Sequence, residues 1–207
     1  MKNRMNKCIY LLHGFASAPK YPSNKSDVLE RVFELPVKQL RYDSSASFHQ
    51  NFEKLKKQVD IDPLFFVGTS LGGFYASKLA EYFYAQKTSM PIMLNPCHNP
   101  AEVLKVGIGS HINFVTNTIF ELTDATIASY RDIPFIDSSL EVPRWILLNM
   151  DDELINANET KRLFDDKLAI FSFKSGGHRF ENIDSEEVIE ALENINNSCF
   201  SIGVTND

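Results

Sequence analysis

The stretch FFVGTSLGGFYASKLA, residues 65–80, contains an abrupt change of hydrophobic pattern. An apolar run leads into Gly68-Thr69-Ser70-Leu71-Gly72, and a segment typical of a helix begins immediately after it. The spacing G-x-S-x-G between a strand and a helix is the pattern of a nucleophile elbow, a sharp turn that exposes the serine. We therefore expect Ser70 to lie at the carboxyl end of a sheet, where open α/β sheets bind ligands. The alternative interpretation is a structural turn that takes part in no chemistry.

Short apolar runs alternate with amphipathic segments along the rest of the chain. Apolar runs bounded by turn residues predict strands, and apolar residues at three- and four-residue steps predict helices. Alternation of this kind is typical of a parallel α/β sheet with helices on both faces. The predicted strands are residues 7–12, 37–42, 63–68, 90–95, 142–149 and 168–173, and the predicted helices are residues 23–33, 47–59, 71–87, 157–167 and 184–196.

Residues 96–141 interrupt this alternation. They have little strand pattern and contain the turn-forming segments NPCHNP, GIGSH and RDIPFIDSS. We expect an insertion of loops and short helices that could cap an active site, within a single domain that spans residues 1–207. Its apolar residues are candidates for lining an acyl pocket, although burial in the insertion's own core is the more usual role of such residues. They are Phe114, Ile119, Phe120, Leu122 and Tyr130.

Composition limits the classes of partner and compartment. The 207 residues have a net charge of −6 and no polybasic run, which argues against nucleic acid or an anionic membrane as a partner. No segment approaches the roughly 20 apolar residues of a membrane span, so we expect no stable membrane insertion.

The basic start precedes only the short apolar run CIYLL, which is shorter than a signal peptide needs. Three scattered cysteines fit a reducing compartment, so a cytoplasmic location is expected; they are Cys8, Cys97 and Cys199. The sequence does not indicate an oligomeric state.

A serine hydroxyl needs a base and an orienting carboxylate to act as a nucleophile. His178 lies just past the last predicted strand, in a loop that should emerge at the carboxyl edge of the sheet. The segment MDDELI, residues 150–155, follows the preceding predicted strand and supplies the carboxylate. The chain order Ser, Asp, His is that of α/β-hydrolases. We favour Asp152 as the acid and keep Asp151 as the alternative.

Two backbone N–H groups are candidates for an oxyanion hole. Leu71 begins the helix after the serine, and the positive end of a helix stabilises an anion. The His-Gly-Phe turn after the first strand offers the N–H of Phe15 as a second donor, with His13 holding the loop by hydrogen bonds.

The other histidines have weaker claims to a catalytic role. His49 fits a surface position on a helix, His98 fits the rim of the site, and His111 lies in the insertion and has only a weak claim to a role in the pocket. Cys97 and His98 could in principle form a nucleophilic pair, but adjacent residues rarely point at one another.

Five blocks of the sequence resemble the YqiA-like esterases, a family of small bacterial α/β-hydrolases. The blocks are YLLHGFASAPK (10–20), VGTSLGGFYASKLA (67–80), LNPCHNP (94–100), MDDELI (150–155) and GGHRFEN (176–182). The resemblance extends over most of the chain and is faint across residues 100–140. Asp151 stands where the family has glycine, and QLRYDSS replaces the family's proline-rich stretch after the second strand.

The resemblance implies an α/β-hydrolase fold and a serine triad that works without metal or cofactor. It places Ser70 as nucleophile, His178 as base and Asp152 as acid. The first strand leads directly into the His-Gly turn, so we predict a trimmed, mostly parallel sheet of six or seven strands with a small cap insertion. The expected activity is hydrolysis of small-molecule carboxylic esters or acyl thioesters through an acyl-enzyme. A peptidase or amidase with the same triad, or a non-catalytic binding protein on a hydrolase fold, are the alternatives.

Overall fold

Eight strands and seven helices are present in the computed structural model, which describes residues 6–87 and 89–201. The strands are β1 (Lys7–Leu12), β2 (Val37–Leu40), β3 (Asp62–Thr69), β4 (Met90–Leu94), β5 (Gly109–Ile112), β6 (Ile119–Leu122), β7 (Trp145–Asn149) and β8 (Ala169–Phe173). The helices are α1 (Asn24–Phe33), α2 (Phe48–Lys56), α3 (Leu71–Lys87), α4 (Pro100–Lys105), α5 (Asp124–Ala128), α6 (Ala157–Phe164) and α7 (Glu186–Ser201).

Six strands form one sheet in the order β2-β1-β3-β4-β7-β8, and every neighbouring pair is parallel. This architecture and the number of strands confirm the prediction. Because all strands of the sheet point the same way, the loops after β1, β3, β4, β7 and β8 emerge at one edge. That edge therefore receives the residues proposed for the triad and the oxyanion hole, which are Phe15, Ser70, Leu71, Asp151, Asp152 and His178.

The two faces of the sheet pack against different helices. Successive side chains of a strand point to opposite faces, so Tyr10 and Phe66 enter one hydrophobic cluster while Ile9 and Phe65 enter the other. The first cluster includes buried residues of α2, α3 and α6, and the second includes buried residues of α1 and α7. Helices on both faces explain why the strands are apolar almost throughout.

Side-chain caps fix where several helices begin. The Ser23 hydroxyl accepts a hydrogen bond from the N–H of Ser26, which starts α1 at Asn24. Ser47 and Gln50 form a reciprocal capping box at the start of α2. No helix within residues 6–87 and 89–201 is long and apolar enough to cross a membrane.

The strand predicted over residues 142–149 begins only at Trp145. Pro143 has no N–H to donate to a sheet ladder. The guanidinium of Arg144 donates instead to the carbonyl oxygens of Leu140 and Val142 at 3.2 and 2.9 Å. The segment before β7 is therefore an irregular loop held by a buried arginine.

The prediction that residues 96–141 contain only loops and short helices was incomplete. Helices α4 and α5 are indeed short, but β5 and β6 between them form an antiparallel hairpin. Each of its strands has four residues and the outer face is largely exposed, so the sequence contains no continuous apolar run. His111 and Phe120 are paired across the hairpin, and both rings contact the ring of Phe15, with centroids 5.0 and 5.6 Å away.

The turn from β3 into α3 depends on glycine on both sides of Ser70. A Cβ atom on Gly68 would lie 2.1 Å from the carbonyl oxygen of Gly72, a separation that real Cβ atoms do not adopt. A Cβ on Gly72 would lie 2.3 Å from the carbonyl oxygen of His13 and 2.6 Å from that of Leu12. These contacts show that strand and helix pack too closely for a side chain at either glycine, and they place the start of α3 against the end of β1.

His13 holds the loop after β1 in place. Its Nδ1 lies 2.8 Å from the carbonyl oxygen of Gly14 and donates to it, while its Nε2 accepts from the N–H of Tyr42 at 3.4 Å. The two rings stack with centroids 4.2 Å apart, and the Tyr42 hydroxyl donates to the carbonyl oxygen of His13 at 2.9 Å. Burial lowers the pKa of His13 to about 4, so the ring is neutral at pH 7.

Replacing Gly72 by alanine should destabilise the fold, because the new methyl group meets backbone that cannot move away. We expect Gly72→Ala to lower the free energy of unfolding by about 1–3 kcal/mol. Gly14→Ala is the matched control, since a Cβ there would lie 3.5 Å from the nearest atom, an ordinary contact. Urea denaturation measures both variants, and equal losses of stability in the two would contradict this account of the turn.

Stability should fall as the pH falls from about 6.5 to about 4, because the unfolded chain protonates its histidine at position 13 while the folded protein keeps it neutral. The measurement is urea denaturation at a series of pH values for wild type and His13→Gln. The variant should lose up to about 3 kcal/mol less than wild type over this window. Burial also lowers the pKa of His98, so some pH dependence will remain. Identical pH profiles for the two proteins would refute the assignment.

Candidate active site

Ser70 occupies the turn between β3 and α3 in a left-handed backbone conformation, with φ at 57°. Residues other than glycine seldom adopt this backbone conformation, and such strain is concentrated at functional sites. The main chain compensates with several hydrogen bonds. The Ser70 N–H donates to the carbonyl oxygen of Leu94 at 3.0 Å, and its own carbonyl accepts from the N–H groups of Gly73 and Cys97 at 2.9 and 3.0 Å.

His178 and Asp152 form a direct pair. The Nδ1 atom of His178 lies 2.9 Å from both carboxylate oxygens of Asp152, whose side chain is only 1% exposed. The N–H groups of Leu154 and Ile155 each donate to Oδ1 of the same carboxylate at 2.8 Å. Because a carboxylate accepts hydrogen bonds, Nδ1 carries the proton and Nε2 is left as the acceptor of the neutral ring.

The three consecutive acids after β7 have three different partners. Asp151 accepts hydrogen bonds from the N–H groups of Gly176 and Gly177 at 3.2 and 3.0 Å. Glu153 accepts one from the N–H of His178 at 2.9 Å. Of the two acids that the sequence left open, the structure brings Asp152 to the imidazole and uses Asp151 to hold the preceding glycines.

Two buried asparagines bind the backbone of the histidine loop. The amide nitrogen of Asn95 donates to the carbonyl oxygens of Gly177 and His178 at 2.9 and 3.1 Å. Asn149 donates to the carbonyl of Gly177 at 3.1 Å, and its own N–H donates to Oδ1 of Asn95 at 2.8 Å. Asn182 exchanges two side-chain hydrogen bonds with Asn149, at 3.0 and 2.9 Å.

These asparagines were not predicted from the sequence to be part of the site. The signal that could have found them is positional: Asn95 directly follows β4, and Asn149 is the last residue of β7. Both therefore reach the edge of the sheet at which ligands bind. Polar residues with no exposure at such positions require partners, and the histidine loop supplies them.

Asn95 also connects the histidine loop to the serine turn. Ser70 donates its N–H to Leu94, and the next residue, Asn95, holds the carbonyl oxygen of His178. The two backbones are thus attached to consecutive residues at the end of β4. Glycine is required in the loop itself, because a Cβ on Gly176 would lie 2.1 Å from Oδ1 of Asn182.

The two candidate oxyanion donors lie on either side of the serine. Leu71 is the first residue of α3, so its N–H has no acceptor within that helix. The loop that contains Phe15 lies against the serine, since a Cβ on Gly14 would be 3.6 Å from the Cβ of Ser70. Within residues 6–87 and 89–201, the N–H of Phe15 donates to no protein acceptor.

The other residues considered for a catalytic or pocket role lie where a structural role or a surface position explains them. Burial raises the pKa of the Cys97 thiol to about 12, which makes it a poor nucleophile at neutral pH. The His98 ring contacts Phe135 and Phe164, and His49 is exposed on α2. Among the apolar residues considered for a pocket, Leu122 and Tyr130 are buried in the core, Phe114 and Ile119 are exposed, and Phe120 contacts Phe15.

Solved structures of α/β-hydrolases resemble this chain over almost its full length. Est1E from Butyrivibrio proteoclasticus has a TM-score of 0.71 at 14% identity and covers 97% of this chain and 90% of its own. Alpha/beta hydrolase domain-containing protein 10 from mouse has a TM-score of 0.66 at 13% identity, with 95% and 90% covered. The esterase domain of a Rhodothermus marinus protein has a TM-score of 0.62 at 15% identity, with 96% and 88% covered. These similarities establish the α/β-hydrolase fold.

A sequence profile gives the family. The profile of the Uncharacterised protein family UPF0227 matches residues 7–194, from the first strand into the last helix. This match agrees with the resemblance seen in the five sequence blocks. The chain therefore belongs to the UPF0227 family, the YqiA-like family, and has the α/β-hydrolase fold.

Proposed function

We propose that this protein is a serine hydrolase that cleaves carboxylic esters or acyl thioesters. The observation that carries the proposal is the buried Asp152 carboxylate paired with the His178 imidazole, at the same sheet edge as the strained Ser70. A base held in one tautomer by a carboxylate, together with a serine on a nucleophile elbow, is the arrangement required for acyl transfer.

Acylation would proceed as follows. The Ser70 Oγ attacks the carbonyl carbon of the substrate while Nε2 of His178 takes the hydroxyl proton. The N–H groups of Phe15 and Leu71 stabilise the oxyanion of the tetrahedral intermediate. The carbon–oxygen or carbon–sulfur bond then breaks, and His178 returns the proton to the departing alcohol or thiol. Asp152 keeps the imidazole in the required tautomer and stabilises its charged form.

Deacylation would repeat the same steps with water. His178 removes a proton from a water molecule that attacks the acyl carbon on Ser70. The intermediate collapses, the serine recovers its proton from His178, and the carboxylic acid leaves. The overall reaction consumes one ester or thioester and one water and yields one acid and one alcohol or thiol.

The structural relatives support an ester substrate. One of these structures is described as an esterase domain, and two further solved structures similar to this chain are described as lipolytic enzymes and as ferulic acid bound to Est1E. Their sequence identities of 13–15% limit this support to the class of chemistry. The acceptor Nε2 of the neutral His178 ring and the N–H of Phe15, which donates to no acceptor among the described residues, are the groups that ester hydrolysis would use.

Ser70→Ala should abolish hydrolysis of a p-nitrophenyl ester series from acetate to palmitate. We expect the rate to fall by about 10⁶-fold, to the detection limit, because no acyl-enzyme can form. Steady-state kinetics measures the loss, and circular dichroism checks that the variant is folded. An active Ser70→Ala protein would remove the serine from the mechanism.

The acids at positions 151 and 152 provide a matched pair of variants. Asp152→Asn should lower kcat by about 10⁴-fold, because an amide no longer fixes the required tautomer of His178. Asp151→Asn should lower kcat by less than about tenfold, because the amide oxygen of the new side chain still accepts one backbone N–H. The same p-nitrophenyl ester assay compares the two. A larger loss in Asp151→Asn than in Asp152→Asn would show that the wrong carboxylate has been assigned to the triad.

A further inference from the structure

Exposed apolar side chains are concentrated in one segment. Ten large apolar residues of the described chain are exposed, and six of them lie within residues 106–119. Ile119 is 74% exposed and Phe114 is 66% exposed. Single exposed apolar residues are normal on protein surfaces, but a contiguous set marks a site of interaction. We call this set the hairpin patch, and its members are Val106, Ile108, Ile112, Phe114, Val115 and Ile119.

The β5–β6 hairpin presents part of this patch on its outer face. Ile112 is paired with Ile119 across the two strands, and both side chains are exposed. The neighbouring pair, His111 with Phe120, faces the opposite way and contacts Phe15. The alternation of the strands therefore separates an inner face that packs on the protein from an outer apolar face that is largely exposed, with Ile112 at 55% and Ile119 at 74%.

The patch adjoins the candidate active site on two sides. The N–H of Phe114 donates to the carbonyl oxygen of Ala16 at 2.8 Å, next to the candidate oxyanion donor Phe15. Asn113 donates its side-chain N–H to the carbonyl of Ser17 at 2.8 Å. The guanidinium of Arg179, the residue after His178, lies 5.2 Å from the centre of the Phe114 ring. Whatever covers the patch therefore lies beside the loops that contain Phe15 and His178.

Charge indicates the nature of the partner. Residues 106–120 contain no Asp, Glu, Lys or Arg, so the hairpin itself is uncharged, and Arg179 is the cation that the structure places at its border, against the Phe114 ring. The chain as a whole has a net charge of −6, which would repel anionic lipid. An uncharged apolar surface on an acidic protein matches a neutral apolar partner.

We propose that the hairpin patch seats the protein on the surface of neutral, water-insoluble esters, so that its substrates include lipid-like esters taken from an aggregate. This inference rests on the proposed function and names its substrate class. Apolar side chains that leave water at such a surface provide the free energy of adsorption. Adsorption then presents the serine to a high local concentration of ester.

A second copy of the chain fits the patch less well. A patch of this kind exposes roughly 300–600 Å², as the largest apolar patch of a typical monomer does. A specific protein–protein interface buries about 800 Å² on each partner. The patch also borders the Phe15 loop and Arg179, where a second copy held at this face would crowd the candidate site.

The test compares hydrolysis of one ester below and above its solubility limit. Tributyrin is the substrate, and the release of acid is followed by titration at constant pH. As tributyrin is added, the wild-type rate should rise while the ester dissolves and should rise a second time once the emulsion forms. In Ile112→Ser/Ile119→Ser this second rise should be at least about tenfold smaller, because the apolar area that adsorbs is lost. Turnover of dissolved p-nitrophenyl acetate should stay within about twofold of wild type, since neither isoleucine faces the serine turn.

Two further variants serve as a control outside the patch and as a substitute for a double variant that does not fold. Leu163→Ser removes an exposed apolar side chain of α6, outside the patch, and should behave as wild type. Ile119→Asn retains Ile112 and serves if the double variant fails to fold, as judged by circular dichroism. An undiminished second rise in the folded patch variants would overturn the proposal. So would sedimentation data showing that wild type is a dimer which the patch variants dissociate, because the patch would then bind a second copy.

A binding experiment separates this inference from the proposed function. Ser70→Ala is floated on a triolein emulsion coated with phosphatidylcholine, with and without the Ile112→Ser/Ile119→Ser changes. Flotation that the patch changes abolish supports the surface even if wild type hydrolyses no ester, in which case the proposed function alone fails. Hydrolysis of p-nitrophenyl acetate without flotation and without a second rise leaves the function intact and overturns the inference.

Discussion

The contact of Gly68 with Gly72 is the constraint on which the arrangement of the site depends. It lets β3 turn directly into α3 with a single residue, Ser70, between them. The same glycine at position 72 brings the start of α3 against the carbonyl oxygens of Leu12 and His13 at the end of β1. One close backbone contact thus sets the position of the serine, of the helix N-terminus and of the loop that contains Phe15. A side chain at either glycine would separate these three parts.

A second set of contacts places the histidine relative to this turn. The sheet order puts β4 between β3 and β7, so the end of β4 lies between the serine and the acidic loop. Asn95 and Asn149, at the ends of β4 and β7, hold the carbonyl groups of residues 177 and 178, while Asp151 and Glu153 hold N–H groups of residues 176–178. The loop is therefore fixed from both sides. This leaves the imidazole of His178 positioned to pair with Asp152 and to serve the proposed chemistry.

Much of the fold was predictable from local pattern. The six strands and five main helices were identified because apolar runs and helical periodicity are local signals, and G-x-S-x-G located the turn at Ser70. The β5–β6 hairpin was missed because its strands are short and half-exposed, with glycine and polar residues among the apolar ones. The separate tasks of Asp151 and Asp152 depend on the path of a loop 25 residues further along, which adjacent sequence does not encode. The asparagines were missed for the same reason, since their partners are distant in sequence.

The account's central claim is that Ser70 is a nucleophile activated by the pair of His178 and Asp152. The measurement that tests it most directly is covalent labelling with a fluorophosphonate, followed by peptide mass spectrometry of the folded protein. The account predicts one added phosphonyl group, located on Ser70, and labelling that is much slower in His178→Ala. Folded wild-type protein that takes up no label, or a label on any residue other than Ser70, would contradict it.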